Sequence, residues 1–360
     1  MRIRMCMAAF AAFACMGGNA WAAAFSGLYT FGDSLSDAGS SPSAVMSLYK
    51  ALNNNCDPTH PCAPFGPYFE GRISNGPVGA EYLAERLFPA AVTPANFHSY
   101  AFAGATSGSG NFGDPGGSAT EQGALKLPGI KPQLDRYMQA SGGTADPGAL
   151  YFVWGGANDY LTHNSPVDAA TNISGYVRTL AEAGARHFLV PNLADLGHTP
   201  FARREGEAAQ ARDYTLVFNN ELASQLGDVG SSFSGVQITR FDAFSLLNDI
   251  VQNPVNYGLA DVEGPCVTRL IFECGNPDGH LYWDEFHPTT HVHSILGSAF
   301  ASAVPEPGSH AMFVAGLIVL GVFRVSTGRL TAVSGVSGVS AMWKIPGRLP
   351  SRARTQAMAP

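Results

Sequence analysis

Leu28-Tyr29-Thr30-Phe31-Gly32-Asp33-Ser34-Leu35-Ser36-Asp37-Ala38-Gly39 is the stretch from which the rest of the chain is read. Leu28 to Phe31 are apolar and aromatic with one Thr, the composition of a short buried strand. Gly32 and Asp33 break it, and Ser34 to Asp37 bring residues that favour a helix start. A serine between a strand's carboxyl end and a helix's amino end is placed for nucleophilic chemistry. Unpaired backbone N–H groups and the positive end of a helix dipole there favour an oxyanion. The alternative for Ser34 is a plain N-cap, and the rest of the chain decides between the two.

Strand and helix signals alternate downstream. Helices are expected over Val78 to Leu87, Lys131 to Gln139, Ile173 to Ala183, Glu207 to Leu226, Ala243 to Val251 and Ile295 to Ala301. Leu150 to Trp154 is a continuous apolar run bounded by glycines, the pattern of a strand buried on both faces. His187 to Val190 and Val236 to Phe241 read as further strands. Such alternation implies an α/β fold with a parallel sheet between helical layers, and a site beyond the strands' carboxyl ends. The loops at Ser34, Asn158 and Asn192 leave from such ends. Residues 40–69 are loop-rich, and 107–129, rich in Gly, Ser and Asp, read as a surface loop and flexible rim.

With 360 residues, 46% of them hydrophobic, the chain can bury a full-sized core in one domain. Residues 25–303 carry 13 Lys and Arg against 27 Asp and Glu, a formal net of −14. That balance argues against nucleic acid or anionic headgroups as steered partners.

Four blocks then fall in order: Phe31-Gly32-Asp33-Ser34-Leu35-Ser36-Asp37, Tyr100-Ala101-Phe102-Ala103-Gly104-Ala105-Thr106, Trp154-Gly155-Gly156-Ala157-Asn158-Asp159 and Trp283-Asp284-Glu285-Phe286-His287-Pro288. On these residues the chain resembles the GDSL family of serine esterases and lipases, the SGNH hydrolases. Tyr68 to Pro77 also resembles a Gly-Arg-Phe-Ser-Asn-Gly stretch of its lipase-like members. The resemblance implies a three-layer α/β/α, flavodoxin-like fold and an ester substrate, whether lipid, short-chain or acylated sugar. It implies no cofactor and no metal, and a monomer is expected. The Gly-x-Ser-x-Gly elbow of α/β-hydrolases is absent from the sequence.

The chemistry of the residues agrees. A serine hydroxyl becomes a nucleophile when a neutral imidazole takes its proton and a carboxylate fixes the imidazole's tautomer. Asp284 and His287, three apart, can share one side of a helical turn, which Pro288 then ends. Glu285, two residues from His287, points away. The expected catalytic residues are Ser34, Asp284 and His287. The expected oxyanion donors are the N–H groups of Ser34 and Gly104 and the amide of Asn158, its carbonyl tied back. Asp159 and Arg72 are read as structural. His280, His291 and His293 lack carboxylate or Cys partners at metal-binding spacing and are read as solvated. Acyl transfer, carbohydrate deacetylation and a non-catalytic envelope or matrix scaffold are the alternatives to ester hydrolysis.

The two ends read separately. Residues 1–24 combine Arg2 and Arg4, an apolar run and small residues at Ala20 to Ala24, the pattern of an export leader. Of six cysteines, Cys6 and Cys15 fall in that leader; the other four allow three connectivities, of which the local pairs Cys56–Cys62 and Cys266–Cys274 close small turn-rich loops suited to an oxidising compartment. Val304-Pro305-Glu306-Pro307, an apolar run over 311–323 and Arg324 resemble the PEP-CTERM sorting signal of Gram-negative envelope proteins. This implies secretion or envelope association, with a transient tie to membrane or exopolysaccharide through 304–324. Residues 325–360 read as a disordered, low-complexity tail.

Overall fold

Every side chain of the run Leu150 to Trp154 is buried, so it needs cover on both faces. A computed structural model, which describes residues 25–53, 67–268 and 272–305, places it at the centre of a five-stranded parallel sheet. The strands are β1 (Leu28–Gly32), β2 (Phe97–Ser99), β3 (Leu150–Trp154), β4 (His187–Pro191) and β5 (Gln237–Phe241), in the order β2-β1-β3-β4-β5. Leu28 lies opposite Leu150, and Gly32 opposite Trp154. The leader, Cys56 and Cys62, and the sorting-type segment and tail from 306 onward lie outside the described residues.

The helices are α1 (Leu48–Asn53), α2 (Gly79–Leu87), α3 (Ile130–Ala140), α4 (Ala157–Leu161), α5 (Pro166–Glu182), α6 (Pro200–Glu205), α7 (Ala208–Ser232), α8 (Ala243–Gln252) and α9 (Thr290–Ala303). The period-two alternation of β3 sorts them into layers. Tyr151 and Val153 face a core shared with Tyr137 of α3, Ile173 and Val177 of α5, and Phe218 and Leu222 of α7. Phe152 and Trp154 face the opposite core, with Leu83 of α2, Leu247 of α8, and Leu296 and Phe300 of α9. The result is the three-layer α/β/α arrangement that the alternation implies.

The strand order places the site. From β1 the chain steps to one side for β2 and to the other for β3, so a crevice opens beyond the carboxyl ends at that reversal. The loops carrying Ser34, Gly104 and Asn158 leave β1, β2 and β3 there.

Several expectations are corrected. Ser34 sits in a single turn, closed by the N–H groups of Ser36 and Asp37 on Asp33 O, and no helix starts from it. The chain leaves that turn because the Asp37 carboxylate takes N–H bonds from Gly39, Leu48 and Ala103. The edge strand β2, three residues long, shows no pattern of its own in the sequence. α5 starts earlier than expected, at Pro166 behind the N-cap Ser165, and α9 starts at Thr290. The 107–129 loop is not a loose rim. Asn111 Nδ2 donates to Ala103 O and Pro128 O, and Asp114 accepts from Leu125 N and Leu127 N, with both side chains buried.

Outside the main sheet are four short strands, β6 (Asp261–Pro265), β7 (Val267–Thr268), β8 (Phe272–Glu273) and β9 (His280–Tyr282). β6 pairs with β9, and the β7–β8 hairpin is closed by a Cys266–Cys274 disulfide.

Candidate active site

The serine turn is set by the end of β1. A Cβ on Gly32 would stand 2.3 Å from Trp154 O, so only glycine lets β1 and β3 close together there. The amide of Gln133 on α3 then reads both backbone groups of Gly32, accepting from its N–H at 2.9 Å and donating to its carbonyl at 2.8 Å. Gln133 is fully buried, so this pairing holds the strand end in place as another strand would.

The second arm comes from the segment between β9 and α9. Asp284 Oδ1 accepts the N–H groups of Phe286 and His287, each at 2.8 Å. This is an Asx turn rather than the expected helical turn. Trp283 N closes it on His287 O at 2.7 Å. His287 Nδ1 lies 2.8 Å from Asp284 Oδ1 and 2.9 Å from Oδ2. Its Nε2 lies 2.7 Å from Ser34 Oγ. The three expected catalytic residues, 253 positions apart at the extremes, therefore form one hydrogen-bonded chain.

The charges favour that chain. Burial opposes a charge on His287, but the Asp284 carboxylate beside it, together with Asp33, raises its pKa above 6.5. Burial also opposes ionisation of Asp284, yet His287 and the two N–H donors hold its pKa below the usual carboxylate value. With Asp284 ionised, Nδ1 is the donor and Nε2 accepts the Ser34 hydroxyl proton.

Gly104 and Asn158 face the same serine. Gly104 has φ +78°, and a Cβ there would stand 2.4 Å from Asn111 Oδ1, so both conformation and space require glycine. The backbone N–H groups of Ser34 and Gly104 donate to no other described residue. Asn158, in the first turn of α4, donates from Nδ2 to Ala105 O at 2.9 Å. The expectation tied back its carbonyl; the structure instead ties one amide N–H and leaves the other unpartnered among the described residues. All three line a cavity of about 270 Å³. Its walls are largely apolar, with Leu161, Leu193, Leu196, Phe201, Leu247 and Phe286 among them.

The neighbouring polar residues have other partners. Asp159 takes N–H and O–H bonds from Ser107 at 2.7 Å each. Arg72 is buried in ion pairs with Glu81 and Glu70. Glu285 turns outward to Arg204. His291 Nε2 faces Tyr257 O at 2.8 Å. His293, read as solvated, is fully buried and accepts Gly79 N at Nδ1, because α9 packs directly on α2. Sequence reasoning missed Tyr68, whose hydroxyl donates to Asp284 Oδ2 at 2.8 Å. The signal available was its place at the head of the Gly-Arg-Ile-Ser-Asn-Gly stretch.

Comparison with known proteins gives consistent matches. The family model described as GDSL-like Lipase/Acylhydrolase matches residues 28–300. The chain is 26% identical over 341 residues to a phosphatidylcholine-sterol acyltransferase of Aeromonas hydrophila, covering 78% of this chain and 90% of that one. It is likewise 26% identical over 316 residues to a GDSL esterase/lipase of Arabidopsis thaliana, covering 75% and 83%. Among solved structures, a member of the lipolytic protein G-D-S-L family from Veillonella parvula matches 76% of this chain and 95% of its own, with a TM-score of 0.41 at 12% identity.

Proposed function

We propose, from the premise that this chain belongs to the GDSL-like lipase/acylhydrolase family and is a carboxylic ester hydrolase, that it works through an acyl-enzyme on Ser34. Ser34 Oγ attacks the ester carbonyl carbon while His287 Nε2 takes the hydroxyl proton. The N–H groups of Ser34, Gly104 and Asn158 receive the oxyanion. The imidazolium returns its proton to the departing alcohol oxygen. Water, deprotonated by His287, then releases the acid and restores the serine. Asp284 stays ionised throughout and stabilises the imidazolium.

The observation that carries this reading is the unbroken chain from Asp284 through His287 to Ser34, at 2.8 and 2.7 Å. Ser34→Ala should cost up to about 10^6 in turnover with the fold retained. Near-wild-type hydrolysis by that variant, or no labelling of Ser34 by a fluorophosphonate, would sink the mechanism.

The apolar cavity walls support an ester with an apolar acyl chain over an acetylated sugar. On p-nitrophenyl esters from acetate to palmitate, kcat/KM should rise about fourfold per methylene, from roughly 0.8 kcal/mol each, until the cavity is full. A maximum at acetate would turn the reading to a carbohydrate acetylesterase. Acyl transfer to an alcohol is the second reading, favoured by the name of the Aeromonas relative. Product analysis with a long-chain alcohol present separates the two. The leader and the 304–324 segment support an exported, envelope-associated enzyme of a Gram-negative cell.

A further inference from the structure

We propose that Tyr68 is a positioning residue which, through its hydroxyl, fixes the orientation of Asp284 and tempers its pull on His287. The proposal rests on the Ser34–His287–Asp284 reading above and concerns a residue outside it.

The acceptor inventory of Asp284 leads to Tyr68. Oδ1 takes three contacts: the N–H groups of Phe286 and His287 and the nearer approach of His287 Nδ1. Oδ2 has two, His287 Nδ1 at 2.9 Å and Tyr68 Oη at 2.8 Å. Asp284 is 8% exposed, so a lone pair left empty there is not returned to water without cost. The backbone bonds pin only one oxygen. Tyr68 pins the other, 216 positions away in sequence, and so removes the remaining freedom of the carboxylate plane.

The phenol is itself held. Its ring stands edge-on to Trp283, the residue before Asp284, at 6.5 Å between centroids. Trp283 forms a cluster with Cys266 and Val267, against which Tyr68 and Cys274 pack. Val267 N donates to Trp283 O at 2.7 Å. The disulfide-closed β7–β8 hairpin therefore backs both the Asx turn and the tyrosine that steadies it. Burial, and then the charge of Asp284, push the Tyr68 pKa upward, so the hydroxyl remains a donor throughout the working pH range.

A donor on Oδ2 spreads the carboxylate's charge and lessens its grip on the imidazolium. Removing that donor concentrates the charge, and the imidazolium becomes harder to deprotonate. Asp33 and His293 are the other titratable groups that face His287, and neither hydrogen-bonds to Tyr68.

Tyr68→Phe keeps the ring and deletes only the donor. Per active site titrated with a fluorophosphonate, kcat should fall about 5- to 50-fold with KM within about twofold. The acid limb of the pH profile should move up by about 0.3 to 1 unit. In an Asp284→Ala background the same change should cost nothing further. Tyr68→Gln, a donor without the ring, should recover part of the turnover and return the limb toward wild type. A merely structural tyrosine would lower the titratable fraction and the melting temperature and leave the limb in place. An unmoved limb with wild-type turnover per labelled site overturns the proposal, as does an additive loss in the Asp284→Ala background. Either result leaves the triad standing, whereas full activity in Ser34→Ala would remove the reading beneath it.

Discussion

Asn158→Ala tests the oxyanion side of the site and has two consequences that can be worked separately. The Asn158 amide has two N–H groups; one goes to Ala105 O at 2.9 Å, and the other has no partner among the described residues and belongs to a side chain lining the serine's cavity. Loss of the free N–H removes one donor from the tetrahedral intermediate, about 10^2 to 10^3 in kcat or roughly 2.7–4 kcal/mol. Loss of the tied N–H leaves the Ala105 carbonyl without that partner, a stability cost of about 1–3 kcal/mol. For a domain of this size that lowers the melting temperature by roughly 2–4 °C per kcal/mol. Steady-state kinetics on a p-nitrophenyl ester, with a thermal melt of the same sample, reads both. The expected outcome is a fall in kcat at near-constant KM, together with a modestly lower melt. A rise in KM with kcat preserved would make Asn158 a binding residue, and a kcat within threefold of wild type would remove it from the oxyanion role.

The pH profile should show an acid limb centred above 6.5, because the imidazole must be neutral to act and Asp284 raises its pKa; a limb centred below about 6, or a flat rate from about 5 to 9, contradicts the base assigned. Peptide mapping of the protein purified without reductant should find Cys266–Cys274 and Cys56–Cys62, and cross-pairing or free thiols at these four positions would refute the oxidised reading. Cys266→Ser should cost under about 3 kcal/mol, since the bridge spans only 8 positions, and a larger loss would show that its packing against Trp283 matters more than the covalent link. A chain ended after Pro305, which keeps the buried Val304, should be soluble, fully active and released to the medium; unfolding would make the following segment part of the core and end the sorting reading.

The layers were legible because their signal is local. Leu150 to Trp154 has no polar alternative to a doubly covered strand, and its alternate residues divide between the two cores. The candidate site residues could be named for another reason: at a topological reversal, chemistry sits in short loops after strand ends, so each residue carries its own motif. What stayed hidden depends on pairing across the chain. Phe97 to Ser99 becomes a strand only because β1 offers an edge. Gln133 and Tyr68 act through partners 101 and 216 positions away, and neither stands in a pattern that names its partner. The helix expected at Ser34 failed because propensity is a weak prior, outweighed here by the N–H bonds that Asp37 draws from Gly39 beside it and from Leu48 and Ala103 in other segments.

Three further acids, Asp33, Asp37 and Asp159, are buried in the loops of the candidate site, and their partners show why only Asp284 pairs with the imidazole. Asp33, Asp37 and Asp159 are each desolvated enough to push the pKa up to about 6, 7 and 6 in turn, despite the N–H groups they accept. Asp284 is also buried, but the imidazole beside it reverses the sign. What the others fasten is backbone. Asp37 takes Ala103 N, next to Gly104, and joins the β1 loop to the β2 loop. Asp159, beside Asn158, takes Ser107 N and Oγ and joins the β3 loop to that same β2 loop. Gly104 therefore follows a residue held by a buried carboxyl, and Asn158 precedes a residue that carries one. An oxyanion hole stabilises charge only if its dipoles need not reorient when that charge develops. On the proposed mechanism the acids of the Gly-Asp-Ser-Leu-Ser-Asp and Gly-Ala-Asn-Asp blocks supply that fixity, and the motifs extend past the residues proposed to touch substrate for that reason.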